Sequence, residues 1–222
     1  MSMKRINPLI ALATNLLLEH YGKNQKTHQD YPELSELSPV KSICGKVGAV
    51  VMIIGRRESG KTVAAYRLAE IFGRPTYAVS PEETPPKWVT ELKLEQLAQE
   101  PPPWSTLILD DIPVYASQRD YNDPFVRVIE RMIPVVRHHR KLILICNTQS
   151  SSLSDRYIMD SELIFLKPAN LLFLDLERPS VAKLYKQVMP IFDEMSDLKC
   201  KKHIFLFSQA WKGIAKVNMP NA

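Results

Sequence analysis

The strongest constraint on this chain is an apolar run ending at Ile54 that leads straight into Gly55-Arg56-Arg57-Glu58-Ser59-Gly60-Lys61-Thr62. Apolarity through Val47 to Ile54 predicts a strand buried on both faces, as in a parallel sheet. Val63, Tyr66, Leu68, Ala69 and Phe72 then recur at helical spacing, and Gly73 is a natural helix stop. Strand, loop and helix in that order are the context in which G-x-x-x-x-G-K-[ST] binds phosphate. Glycines let the backbone wrap close to phosphate oxygens, with amide hydrogens turned inward. The helix adds its positive dipole end. Residues Gly55, Arg56, Arg57, Glu58, Ser59, Gly60, Lys61 and Thr62 are therefore expected to hold a nucleoside triphosphate, ATP, with Mg²⁺. Lys61 is expected to reach the β and γ phosphates, and the Thr62 hydroxyl to ligate the metal. The side chains of Arg56, Arg57 and Glu58 are unusual in such a loop. Arg57 either touches phosphate or the next subunit, or all three point to solvent while the backbone binds.

A second element supplies carboxylates. Thr106-Leu107-Ile108-Leu109 is an apolar strand that ends in Asp110 and Asp111. Asp110 is expected to hold Mg²⁺ through water, and Asp111 to polarise the attacking water as general base. The competing reading makes Asp111 a helix cap. A third element runs from Val135 through Arg137-His138-His139-Arg140 into Leu142 to Cys146 and ends Asn147-Thr148-Gln149. Gln149 or Asn147 at that strand end could sense the γ phosphate or orient water. Arg137 and Arg140 are candidate arginine fingers toward a neighbouring subunit's nucleotide. Cations at a helix C-terminus are also favoured for electrostatic reasons alone. The histidines have no partner set for a metal.

Around these motifs, strands are expected at Thr76 to Val79, Lys141 to Cys146 and Leu163 to Leu166, and helices at 87 to 99 and 123 to 139. This alternation predicts a three-layer α/β domain with a mainly parallel central sheet. Val181 to Met195 is expected to be helical despite Pro190, and His203 to Phe207 with Ile214 to Val217 to form a terminal β-hairpin. Leu9, Leu12, Leu16 and Leu17 predict a helix over 8–21, and the polar stretch 22–42 with Pro32 and Pro39 a connector. The expected organisation is residues 1–46 as a helix and connector packing on the core, and 47–222 as the ATPase domain.

By these motifs the chain resembles the FtsK–HerA superfamily of P-loop ATPases. The resemblance covers roughly residues 47 to 178 and is greatest to the genome-packaging ATPases of double-stranded DNA viruses with an internal membrane, of the small turreted icosahedral archaeal type. It implies a RecA-like P-loop fold, with Gly55 to Thr62 as Walker A and Asp110 and Asp111 as Walker B. It implies Gln149 as the polar sensor and Arg137 as a trans-acting arginine. Asp111 stands where the family usually has glutamate, and the interior of the loop is unusually charged. The implied function is ATP-driven translocation of double-stranded DNA into a preformed capsid by a homo-oligomeric ring, pentamer or hexamer. Capsid vertex or internal-membrane proteins are the implied docking partners, and the host cytoplasm or the virion the implied location.

Composition narrows the alternatives without choosing among them. Residues of apolar type make up 45% of the 222, enough for a core of domain size. No apolar run nears 18 residues, so no membrane-spanning helix is expected. Lys4 and Arg5 before Ile6 to Ala13 resemble a secretory signal only faintly, and an amphipathic helix is the expected structure there. Cys44, Cys146 and Cys200 are widely spaced, which suits a reducing compartment. The net charge of +5 is compatible with a polyanionic partner, and Lys199, Lys201 and Lys202 form the tightest basic cluster. A nucleotide or small-molecule kinase is the main competing reading, although Ser150 to Asp155 looks too short and polar to be an arginine-rich lid. A virion assembly or export ATPase without DNA translocation is the other.

Overall fold

The computed structural model describes residues 31–79, 84–93, 96–97, 101–110, 131–133, 136, 141–149, 160–170 and 179–220. The expected N-terminal helix over 8–21, most of the helix near 123–139, and Asp111, Arg137 and Arg140 lie outside these residues.

The apolar run forms β1, Ala49–Ile54, buried at every position. It lies between β5, Ile143–Thr148, and β6, Leu163–Leu166, and is parallel to both. Beyond β5 come β4, Thr106–Leu109, then β2, Thr76–Val79, and at the edge β3, Val89–Glu91, all parallel. Beyond β6 the sheet continues antiparallel through β7, His203–Phe207, and β8, Lys212–Lys216. The order is β3-β2-β4-β5-β1-β6-β7-β8, with the predicted terminal hairpin forming one edge.

Strand side chains alternate between faces. Ala49, Val51 and Ile53 share one buried cluster with Ile108, Ile143, Ile145 and Phe165. That cluster also takes in Ala64, Ala65, Leu68 and Phe72 of α2, Lys61–Phe72, the helix expected after the loop. Val50, Met52 and Ile54 point the other way and are equally buried. Helix α2 ends at Gly73, whose φ of 65° is the left-handed conformation that lets its amide reach back to Ala69 and Glu70 carbonyls. Helix α3, Pro179–Asp193, buries Val181, Tyr185, Val188 and Phe192 along one stripe, and Pro190 sits inside it. A short helix α4, Asp197–Lys201, leads into β7; Ser196 caps it through the Lys199 amide.

Three expectations are revised. The described part of the 22–42 stretch is no simple connector: Leu34–Glu36 form a 3-10 turn and Ser38–Cys44 form helix α1. Pro39 lies in the first turn of α1, where a missing amide hydrogen costs nothing and the fixed φ is helical. Leu34, Leu37, Val40 and Ile43 join the same buried cluster as α2. The helix expected at 87 to 99 is interrupted by β3, because Val89 and Thr90 are β-branched and follow two prolines. Third, β5 runs two residues further than expected, so Asn147 and Thr148 are ladder residues and fully buried.

Because Ile43 is 1% exposed within the α1–α2 cluster, Ile43→Ala should cost about 2–5 kcal/mol. Denaturant unfolding monitored by circular dichroism checks this. A loss under about 0.5 kcal/mol, the size of a surface substitution, would mean that residues 38–44 are not part of the core.

Candidate nucleotide site

Parallel strands place their C-terminal ends at one edge of the sheet, where ligands of open α/β folds bind. Register does this here residue by residue. Ile53 is opposite Asn147, and Leu109 is opposite Cys146, so Asp110 comes level with Asn147. The loop leaves β1 at the same level: the Gly55 amide donates to the Thr148 carbonyl at 3.2 Å, and the Arg56 amide to the Pro168 carbonyl at 2.8 Å.

Two loop glycines are needed for close approach. A side-chain carbon on Gly55 would stand 2.4 Å from Cβ of Lys167, and one on Gly60 would stand 2.9 Å from the Lys201 carbonyl oxygen. Gly60 also has φ 87° as it opens α2. No side chain caps the first turn of α2, so its amides point out of the helix end as an anion site requires. Lys61 is buried to 8% exposure, and its Nζ donates to the Arg56 carbonyl at 3.0 Å, inside the curl of the loop. Ser59 is buried too, and its Oγ has no hydrogen-bond partner among the described residues. An orphaned buried hydroxyl in a glycine-bounded cradle fits a phosphate oxygen. Arg56, Arg57 and Glu58 are exposed, in line with the solvent-facing alternative, and Arg56 reaches Asp197 at 3.3 Å.

The Asp110 carboxylate is held at both oxygens. The Thr62 hydroxyl donates to one at 2.9 Å, and the Asn147 side-chain amide donates to the other at 2.7 Å. Asp110 is 6% exposed and Asn147 fully buried, so neither would be there without partners. A hydroxyl and a carboxylate at this separation are hard oxygen donors of the kind Mg²⁺ takes, with the remaining positions left to water and phosphate. Among the described residues no cluster of three or more His, Cys, Asp or Glu could hold a metal alone. That suits an ion shared with a nucleotide better than a dedicated protein cage.

The structure thus brings together Gly55, Ser59, Gly60, Lys61, Thr62 and Asp110. Of the two strand-end amides, Asn147 is the one that contacts Asp110. Gln149 lies just past β5 and is exposed.

One residue at the site carries no sequence signal of its own. Lys167 follows β6 and is fully buried. Its Nζ donates to the carbonyls of Lys201 at 2.7 Å and His203 at 2.8 Å, and lies 3.5 Å from that of Cys200. Burial pushes its pKa down to about 7, with the Cys200 thiol opposing the shift and the Lys61 charge adding to it. Only its position, a lysine at the C-terminal end of a buried strand, could have flagged it. The three cysteines are free, and burial raises the Cys146 thiol.

No family model and no curated relative matches the chain by sequence. Solved structures do match by fold. The genome packaging NTPase B204 of Sulfolobus turreted icosahedral virus 2, in complex with sulfate, is 12% identical with a TM-score of 0.55, over 79% of this chain and 100% of that one. The same protein in complex with AMPPCP gives 14% identity and 0.52, over 78% and 100%. The DNA-packaging ATPase B204 of Sulfolobus turreted icosahedral virus gives 15% and 0.50, over 77% and 98%. At these identities the likeness is one of fold: the chain has the three-layer, RecA-like architecture of P-loop ATPases and resembles viral genome-packaging ATPases in plan.

Proposed function

We propose that this chain hydrolyses ATP and uses the energy to move double-stranded DNA into a viral capsid, as one subunit of a homo-oligomeric ring. The observation that carries the hydrolase half is the Asp110 carboxylate held by Thr62 and Asn147 beside the uncapped start of α2. A phosphate-binding loop alone needs only backbone amides and a lysine. A buried carboxylate fixed next to the loop's hydroxyl is what metal-assisted phosphoryl transfer adds. The packaging half rests on the likeness in fold to packaging NTPases and on the motif order noted above.

In this reading the loop amides and Lys61 bind the β and γ phosphates and offset charge that builds up during transfer. Thr62 and Asp110 would hold Mg²⁺, which when bound would neutralise phosphate charge. Asn147 keeps the Asp110 carboxylate correctly turned by donating to it. Asp111, one residue further on, takes the proton of the attacking water, and Gln149 orients that water or senses the γ phosphate. Arg137 reaches the nucleotide of the neighbouring subunit, with Arg140 the alternative finger. The net charge of +5 suits a polyanion such as duplex DNA. Capsid vertex or internal-membrane proteins would dock the ring, in the host cytoplasm or in the virion. No helix among the described residues is long and apolar enough to cross a membrane.

Lys61→Ala should lower ATP turnover by at least about 10²-fold, the scale of losing one transition-state charge contact. Turnover of the wild-type chain should rise on adding duplex DNA and fall back at high salt. Steady-state phosphate release measures both. Turnover that depends on an added hydroxyl acceptor and ignores DNA would favour a kinase. DNA-independent turnover without an acceptor would favour an assembly or export ATPase.

Subunit mixing tests the ring. Arg137→Ala and Lys61→Ala chains, each inactive alone, should recover part of the hydrolysis when mixed, because one interface then has both groups. Mixtures as inactive as their components would place Arg137 in its own subunit's site, and an Arg137→Ala chain active by itself would place it outside.

A further inference from the structure

We infer that Lys167 is a positioning residue for the phosphate-binding loop: its buried ammonium sits beneath Gly60, anchors the loop to the α4–β7 corner, and strengthens triphosphate binding from outside the motif. This deepens the nucleotide reading and rests on it.

The geometry has three parts. The backbone of Lys167 is tied to β1 where the loop begins, its amide donating to the Ile54 carbonyl at 2.8 Å. Its Cβ presses on Gly55 so closely that no side chain fits there. Its Nζ then passes under the far end of the loop, 3.4 Å from where a Gly60 side chain would begin, and rests on carbonyls of α4 and β7. One side chain therefore spans both glycines of the loop and the corner at Cys200 to His203. Arg56 makes a second, exposed link to the same helix through Asp197.

The electrostatics follow from burial. A cation removed from water and met by carbonyl dipoles is poorly compensated. A polyphosphate in the loop supplies the missing negative charge, so the ammonium and the anion should stabilise each other. The titratable and charged groups facing Lys167 are Lys61 from the start of α2, Cys200 from α4 and His203 from β7, while Lys201 offers only its backbone carbonyl. Burial lowers His203 below its ordinary value and raises Cys200 above its own. Both shifts favour the uncharged forms near neutral pH. Lys167, whose pKa burial brings down to about 7, is the group that changes charge there. A bound anion raises its pKa. The extra affinity is thus fully present well below the free-state value of about 7 and is lost as pH rises through the raised value of the bound state.

The test is the dissociation constant of Mg·ATP for the full chain, measured by calorimetry from about pH 6.5 to 8.5, in wild type and Lys167→Met. Wild-type affinity should weaken roughly sixfold over this range, most of the effect of a pKa raised from about 7 by about one unit. Lys167→Met should bind about tenfold more weakly at the acid end and show no such slope. A variant with wild-type affinity and the wild-type slope would overturn the inference. If that variant does not fold, the wild-type profile decides alone, and a flat profile overturns it. A wild-type chain that binds no ATP at any pH would instead remove the nucleotide reading, and this inference with it.

Discussion

The whole arrangement depends on β5 lying between β1 and β4. A strand in that slot is hydrogen-bonded on both sides, so its register with each neighbour is fixed. Slipping it by one residue would turn every side chain to the opposite face. Asn147 would then leave Asp110, and the isoleucines that pack on α2 would leave the core. The apolar packing of Ile143 and Ile145 against that face thereby sets the polar geometry at the strand end. Stability and site share one register.

The Asp110 carboxylate gains the most from this. Its two donors come from different elements: Thr62 from the first turn of α2, Asn147 from the end of β5. Hydrogen bonds to an ionised acceptor are each worth roughly 1.5–3 kcal/mol, more than neutral ones. Removal of either partner leaves charge buried at 6% exposure with half its support. In the proposed site Thr62 and Asp110 would hold Mg²⁺, while Asn147 keeps the carboxylate from turning.

Much of the core was legible in the sequence because its signals are local. Strand β1, the loop and α2 announce themselves by continuous apolarity, glycine spacing and helical periodicity. The terminal hairpin and α3 were equally visible, with Pro190 tolerated inside a strongly one-sided helix. Helix α1 was hidden because Pro39 counts as a breaker unless the helix start is known. Edge strand β3 has three residues, too few for any periodicity. Within the site, the loop and Asp110 were readable as motifs. Which of Asn147 and Gln149 meets Asp110 was not, since it turns on where β5 ends, and β5 is extended by pairing with β1. Lys167 was invisible for a different reason: its role comes from contact with residues 33 to 36 positions away, which no local pattern encodes.

If Thr62 and Asp110 together hold the metal of a nucleotide site, the Mg²⁺ dependence of ATP affinity must differ between wild type and Asp110→Asn. An asparagine keeps the shape but removes the negative charge that a hard divalent ion requires. ATP binding without Mg²⁺ should survive the substitution, while the tightening that Mg²⁺ brings should be lost. An Asp110→Asn chain that responds to Mg²⁺ as wild type does would rule out this metal site.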